Sequence, residues 1–98
     1  MTIEIEKITE ETIIRLSGRL DTTTAPSLEK AINEDVADAK NLVFDVKFLE
    51  YVSSAGLRVI LSTQKKMQNI GSMKFRNVSE AVMEVFQITG FTDILTIE

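Results

Sequence analysis

The spacing of hydrophobic positions along the chain switches between two residues and three or four residues. Near the N-terminus Ile3 and Ile5 alternate with glutamates, which is the pattern of a half-exposed strand. After an acidic turn at 9–11, a second strand is predicted over 12–20, so that the two strands form an antiparallel hairpin at a sheet edge. Gly18 near the end of the second strand indicates a bulge or a close approach of the backbone.

Three stretches have apolar residues at spacings of three and four, the pattern of an amphipathic helix. The first begins near Pro26, a residue that suits the first turn of a helix. The second begins at 53–56 and is predicted to end with Gly71 as its C-cap. The third has Ser79 as its N-cap and ends at Gly90. The predicted inward-facing residues are Ala25, Leu28, Ala31, Ile32 and Val36 of the first helix and Leu57, Ile60, Leu61 and Met67 of the second. The apolar face of the third helix is formed by Val82, Val85 and Phe86.

Short apolar runs between the helices predict the remaining strands. Residues 41–45 contain a continuous apolar run typical of a strand covered on both faces, and 47–52 are predicted to be a loop. Further strands are expected at 73–77 and 94–97. The order β-β-α-β-α-β-α-β predicts an α/β fold, a mixed central sheet with the N-terminal antiparallel hairpin at its edge and helices packed against it. No linker or repeat interrupts the chain, so 1–98 is expected to be a single domain.

The composition excludes most catalytic chemistries for this chain. It has no His and no Cys, so it cannot provide a Ser-His-Asp triad, a thiolate nucleophile, a disulfide or a His- or Cys-ligated metal site. It has no Gly-x-Ser-x-Gly elbow and no Walker A motif. The nearest lysine on the helix of Ser54 is Lys65, about three turns further on. We therefore expect a protein that is not an enzyme and that needs no cofactor and no metal.

The charge of the chain narrows the choice of partners. Lys+Arg 11 against Asp+Glu 15 gives a net charge of −4, and the basic residues do not cluster, so no nucleic-acid partner is expected. No apolar run approaches the roughly 18 residues that span a bilayer, and the acidic N-terminus does not resemble a signal peptide. We expect a small cytoplasmic protein without direct membrane insertion.

Two loops that follow predicted strands carry candidate functional residues. They are Asp21–Thr24 and Tyr51–Gly56. Both follow the carboxyl end of a strand, which is where binding sites lie in sheets of this kind. Asp21 suits an Asx-turn or a helix cap, and its carboxylate is predicted to lie near the second loop. The topology therefore predicts that the two loops form one site.

Ser53 and Ser54 supply two hydroxyls where the second helix begins. A serine there is commonly an N-cap. It is also a suitable phosphorylation site, because a phosphoserine would place about −1.5 to −2 charges at a helix N-terminus with Arg58 one turn away. The spacing alone leaves both roles open.

Five sequence motifs occur together along the chain. They are Gly18-Arg19-Leu20-Asp21 with Thr24-Ala25, Leu42-Val43-Phe44-Asp45, the run from Tyr51 to Ile60, the segment from Lys74 to Ser79, and the segment from Phe86 to Phe91. In combination they resemble the STAS domains of the anti-sigma factor antagonist family, over essentially the whole chain. The resemblance implies a single STAS-like domain.

The resemblance also implies a function and partners. In that family the unphosphorylated antagonist binds an anti-sigma factor that is itself a serine kinase, and the sigma factor is released. Phosphorylation of a serine at the start of the second helix abolishes binding, and a metal-dependent serine phosphatase restores it. The positions implied at the contact surface are Asp21, Thr22, Thr23, Ser53, Ser54, Ala55, Gly56 and Arg58.

The chain departs from the family motif at one position. The motif is Asp-Ser-Ser/Thr-Gly-Leu with its first serine modified, and alignment on Gly56-Leu57 places Ser54 at the modified position. Ala55 then occupies the following Ser/Thr position and Ser53 the position of the aspartate. Ser53 becomes a second possible acceptor. The missing aspartate also keeps an alternative function open, an unphosphorylated STAS scaffold or subunit in a signalling or lipid-transport assembly.

Overall fold

The computed structural model describes all residues from Met1 to Glu98, and its elements follow the predicted order. Their bounds are β1 Thr2–Lys7, β2 Thr12–Leu20, α1 Ala25–Asp35, β3 Asn41–Val52, α2 Ser54–Gln68, β4 Ser72–Arg76, α3 Glu80–Ile88 and β5 Thr96–Ile97, with a 3-10 turn at Phe91–Asp93 before β5. No helix is both long and apolar enough to cross a membrane.

The sheet has the strand order β1-β2-β3-β4-β5. β1 pairs antiparallel with β2, and the hairpin is closed by backbone hydrogen bonds between Ile8 and Glu11. The other neighbouring strands are parallel, as predicted. Each crossover moves one strand in the same direction, and right-handed crossovers then place α1, α2 and α3 on one face of the sheet.

One hydrophobic core of 22 buried residues lies between the helices and that face. Its centre is aromatic. The Phe44 and Phe75 rings, on neighbouring strands, stack with their centroids 4.8 Å apart, and Phe86 of α3 meets Phe75 edge-on at 5.5 Å. These contacts fix α3 against the middle of the sheet and make the sheet and helices one packed unit.

The opposite side of the sheet, the charged face, carries a row of charges across four strands. Glu4, Arg15, Asp45 and Arg76 are register neighbours on β1 to β4. An Arg15 Nη donates to Glu6 Oε1 at 2.8 Å, and Arg76 Nε lies 3.5 Å from Asp45 Oδ2. Opposite charges on adjacent strands compensate one another, so the charged side chains of this face find partners within the sheet and no helix covers them.

The predicted loop at 47–52 is wrong, because β3 continues to Val52. This second half pairs with β2, and the pairing has two register irregularities, one before the pair Ser17–Phe48 and one after the pair Gly18–Leu49. Leu49 and Val52 are buried while Phe48 and Tyr51 are exposed, so the buried positions are three residues apart instead of two. The bulges conceal the strand in the sequence, and the bulge expected at Gly18, which has a φ of 90°, is confirmed.

Gly71 is not the C-cap of α2, which ends at Gln68 with Asn69 as its cap. Gly71 is needed for a different reason: a Cβ at this position would collide with the carbonyl oxygen of Lys40. The predicted ends of α3 are confirmed, since Ser79 Oγ accepts a hydrogen bond from Val82 N and Gly90 has a φ of 78°.

Two smaller predictions also need correction. Leu61 of α2 is only half-buried, and Val59 is buried instead. The last strand is shorter than predicted, because Ile94 caps the 3-10 turn at 91–93 and the strand begins only at Thr96. Neither change alters the position of the loops at the carboxyl ends of β2 and β3.

Candidate functional site

β2 and β3 end side by side, and the candidate site begins where they end. Leu20 and Val52 are register partners, and Ser53 N donates to Leu20 O at 2.8 Å. The turn after β2 and the first turn of α2 therefore lie next to each other. The two predicted loops form one surface, although the second contains only Ser53 between β3 and α2.

The Asp21 carboxylate organises the turn after β2. Asp21 Oδ1 accepts hydrogen bonds from Thr23 N at 3.0 Å, Thr23 Oγ1 at 2.7 Å and Thr24 N at 3.1 Å. Thr24 Oγ1 accepts from Asp21 N and donates to Arg19 O, both at 2.8 Å. This is the Asx-type turn that suits an aspartate before a helix. Thr22 and Thr23 lie exposed at its tip.

These hydrogen bonds also determine the charge of Asp21. The hydrogen bond from the Thr23 hydroxyl lowers the pKa of the carboxyl, and the Thr24 and Thr23 N–H groups add to it against a smaller opposing effect of desolvation. Asp21 is therefore firmly ionised at neutral pH. Arg19 balances part of this charge, with its Nε 3.9 Å from Asp21 Oδ2 and its guanidinium 4.3 Å from the centre of the Tyr51 ring.

The two serines at the start of α2 have different environments. Ser53 is the N-cap, with extended backbone, and its Oγ accepts a hydrogen bond from Gly56 N at 3.3 Å. It is half-buried. Ser54 is the first residue of the helix, and its exposed hydroxyl makes no hydrogen bond with the protein. Of the two hydroxyls, only that of Ser54 is free to react without loss of the helix cap.

Gly56 allows the first turn of α2 to pack directly on the end of β2. It is buried, and a Cβ on it would lie 2.6 Å from Leu20 Cγ and 3.1 Å from Leu20 O. Leu20 is itself fully buried, and in a closely packed core such a side chain can move little. The close contact at Gly56 thereby determines how near the N-terminus of α2, with Ser54, lies to the ends of β2 and β3.

Arg58 lies one helical turn after Ser54 and is exposed without an ion pair. With Ala55 it forms one wall of a groove of about 170 Å³ between α1 and α2. Thr22, Pro26 and Glu29 form the other wall. Sequence reasoning missed Pro26 and Glu29, because residues on the outer face of a helix carry no motif and only the packing of α1 against α2 brings them to the site.

The site contains no cluster of metal ligands. Across the whole chain, no group of three or more Asp or Glu side chains is placed to hold a metal ion. Its chemical features are a free hydroxyl, an ionised carboxylate, an unpaired guanidinium and a shallow groove. This combination suits contact with another protein and modification by it.

Comparison with known proteins identifies the family to which the chain belongs. A model of the STAS domain family matches residues 2–98. The chain belongs to the STAS domain family. The resemblance and the α/β fold expected from the sequence are both confirmed.

Relatives of this STAS domain are named as anti-sigma factor antagonists. The Bordetella bronchiseptica protein BtrV, which bears that name provisionally, is 32% identical over 99% of this chain and 85% of its own length. The Bacillus subtilis anti-sigma-B factor antagonist is 28% identical over 99% of this chain and 90% of its own. The crystal structure of an anti-sigma factor antagonist from Mycobacterium paratuberculosis has a TM-score of 0.89 at 28% identity, covering 98% of this chain and 83% of that one.

The N-cap role of Ser53 explains how this STAS domain tolerates its departure from the motif. Serine and aspartate are about equally good N-caps, since each offers a side-chain oxygen to the free N–H groups of the first turn. Ser53 caps the start of α2. Relative to the aspartate in the motif that the resemblance implies, it leaves one negative charge fewer next to Ser54. The difference between serine and aspartate at position 53 is therefore one of charge, while the capping of α2 is the same.

Proposed function

We propose that this STAS domain is an anti-sigma factor antagonist switched by phosphorylation of Ser54. In its unphosphorylated form it binds an anti-sigma factor that is a serine kinase, which releases the sigma factor. Phosphorylation of Ser54 ends this binding, and a metal-dependent serine phosphatase restores it. Such partners act in the cytoplasm, where we place this protein as well. The observation that carries the proposal is the exposed, unbonded Ser54 hydroxyl beside a helix cap made by Ser53.

The chemistry requires an accessible acceptor. The kinase transfers the terminal phosphoryl group of a nucleoside triphosphate to Ser54 Oγ, so that a new O–P bond forms, the bond to the departing diphosphate breaks and the hydroxyl proton leaves. Hydrolysis by the phosphatase returns the hydroxyl and free phosphate. Ser53 is the less suitable acceptor, because it is half-buried and its modification would disturb the hydrogen bond that its Oγ accepts from Gly56 N.

The effect of a phosphate is expected to be local. It adds about −1.5 to −2 charges, which is moderate beside a net charge of −4. The N-terminus of α2 tolerates an anion because its N–H groups and dipole are positive there, so the fold persists. The new charge lies on the same surface as the ionised Asp21, because the hydrogen bond from Ser53 N to Leu20 O places the two loops side by side. A partner docked on this surface would meet charge and bulk that the unmodified protein lacks.

The contact residues divide into three groups by their exposure and their contacts. Thr22, Thr23, Ser54 and Arg58 are exposed and are proposed to touch the partner. Ala55 at the groove is half-buried and contributes shape. The remaining members hold the surface in position, and they are Asp21, Ser53 and Gly56.

Pull-downs from cells of the native host test this proposal. Full-length unmodified protein, Ser54→Ala, Ser54→Asp and the control Ser62→Asp on the exposed face of α2 serve as baits. The captured protein must phosphorylate the unmodified chain when a nucleoside triphosphate is added. Like charges brought together in an interface cost several kcal/mol, so Ser54→Asp should recover this kinase at least about tenfold less well than the other baits. Equal recovery by Ser54→Asp would refute the switch.

Ser53 favours one alternative, a STAS scaffold or subunit of a signalling or lipid-transport assembly that is never phosphorylated. In the family motif an aspartate precedes the modified serine, and this chain lacks that charge. The intact mass of the protein isolated from its native cells separates the two functions. A population heavier by one phosphate supports the switch, whereas a single unmodified mass under all growth conditions supports the scaffold.

A further inference from the structure

We infer that Arg58 is the internal counter-charge of phosphorylated Ser54, so that the phosphate on one turn of α2 binds the guanidinium on the next. The inference rests on the proposed modification of Ser54 and adds a mechanism to it. The phosphate would introduce an anion on the surface that binds the partner. It would also neutralise Arg58, the one cation that lines the groove.

The spacing of the two residues favours this contact. Ser54 and Arg58 are four residues apart in α2, where side chains lie on one face with Cβ atoms about 5–6 Å apart. Side chains on a helix lean toward its N-terminus, so that a long side chain at 58 extends over the turn that carries Ser54. An anion placed four residues before a cation is also the more favourable order on a helix.

Arg58 is uncommitted in the unmodified protein, unlike the neighbouring cation. Arg19 is held between the Tyr51 ring and the Asp21 carboxylate. The Arg58 side chain makes no ion pair, no hydrogen bond and no cation–π contact within the protein. Its guanidinium is therefore available to whichever anion comes within reach.

Two carboxylates near the groove compete weakly for Arg58. Glu29 of α1 lines the same groove but forms no ion pair with Arg58. Asp21 Oδ1 already accepts its hydrogen bonds from Thr23 and Thr24. A phosphate carries about twice the charge of a carboxylate and three acceptor oxygens, so it would bind Arg58 in preference to either carboxylate.

This pairing gives phosphorylation two consequences for binding. In the unmodified protein Arg58 faces the groove and can bind an acidic group of the partner. After phosphorylation the guanidinium is neutralised by the phosphate on its own helix. The surface thus changes from a local cation to a local anion through one modification.

The test measures the phosphate directly. Phosphoserine is introduced at position 54 during synthesis of the full chain, and its second ionisation, with a pKa of about 6, is followed by ³¹P NMR. A nearby cation favours the doubly ionised phosphate, so its removal should raise this pKa. In Arg58→Gln the acid dissociation constant for the second ionisation of the phosphoserine should therefore be lower than in the parent by about twofold or more. Lys65→Gln removes the same charge from the same helix about three turns away, and should change it clearly less.

An equal effect of the two substitutions, or no effect of Arg58→Gln, would overturn the inference. Arg58 is exposed and unbonded, so Arg58→Gln should leave the unfolding temperature of the unphosphorylated chain unchanged, which checks that the fold is intact. The titration uses neither kinase nor partner. A negative result therefore rejects the ion pair and leaves the proposed function standing. If the pair forms but Ser54→Asp still binds the kinase, the proposed function fails instead.

Discussion

Ser53 and Ser54 differ because α2 begins between them. The extended backbone of Ser53, with φ −88° and ψ 174°, turns its side chain back over the first turn, where Oγ accepts from Gly56 N. Ser54 follows with helical backbone and projects outward. The difference between the neighbouring serines is thus a consequence of where one helix starts: the first hydroxyl caps the helix and the second is exposed.

Substitution of each serine should separate the two roles. Ser53→Ala removes the cap and should lower the free energy of unfolding by about 0.5–2 kcal/mol in urea denaturation. Ser53→Asp restores a capping oxygen and should be close to the parent. Ser54→Ala, the matched control one residue away, should change stability by less than about 0.5 kcal/mol. A cost of Ser54→Ala equal to that of Ser53→Ala would show that its hydroxyl is not free.

The ionisation of Asp21 gives a second prediction at this scale. NMR titration should place its pKa below the ordinary value of 3.8, and Thr23→Val should raise it toward that value by removing the hydroxyl hydrogen bond. Because the pKa of the folded state is the lower one, the stabilisation from Asp21 is present above about pH 4 and is lost as the pH falls through the folded pKa. A pKa unaffected by Thr23→Val would contradict this assignment.

A parallel prediction concerns Asp45 on the charged face. Partial burial opposes its ionisation, but hydrogen bonds from Asn77 Nδ2 and Lys47 N together with the Arg76 charge outweigh it, so the pKa of Asp45 is also lowered. Asn77 has a φ of 58°, so Asn77→Gly removes the amide without backbone strain and should raise the Asp45 pKa. The Asp21 pKa serves as the internal control and should not move.

At the scale of elements, the contact between α2 and β2 depends on Gly56. Gly56→Ala would press a methyl group against Leu20, and overpacking of this kind costs about 1–3 kcal/mol even though alanine favours helices. Ser62→Ala, on the exposed face of the same helix, should be neutral or slightly stabilising. Urea denaturation of the two variants measures the difference, and a neutral Gly56→Ala would mean that α2 is not seated on β2 as described.

The elements that the sequence predicts well are those whose periodicity is unbroken. The hairpin of β1 and β2, the buried stripe of α1 and the ends of α3 all follow from local spacing and capping residues. The second half of β3 does not, since two bulges shift its buried residues out of alternation. Gly71 could not be interpreted either, because its close contact is with Lys40, far away in sequence.

At the scale of the whole molecule, the candidate site is part of the same packed unit as the core. Leu20 and Val52, which end the strands beneath the site, belong to the single cluster of 22 buried residues. The serines and Asp21 of the site were predictable from motifs at strand ends. The groove with Pro26 and Glu29, and the Arg19–Tyr51 contact, depend on tertiary packing and on the bulged half of β3, which no local pattern encodes.

This continuity predicts cooperative unfolding of site and core. Tyr51 is the only tyrosine and the chain has no tryptophan, so intrinsic fluorescence reports on the edge of the site alone. Its urea transition should coincide with that of far-UV circular dichroism, as expected for a small two-state domain. A fluorescence transition at clearly lower urea would show that the site unfolds separately from the core.

The central claim, that Ser54 is the switched hydroxyl, is tested most directly by mapping the phosphate. The captured kinase and a nucleoside triphosphate are incubated with the parent chain, Ser53→Ala and Ser54→Ala, and the modified residue is located by peptide mass spectrometry. We predict phosphate on Ser54 in the parent and in Ser53→Ala, and none in Ser54→Ala. Phosphate on Ser53 in the parent, or undiminished phosphorylation of Ser54→Ala, would contradict the account.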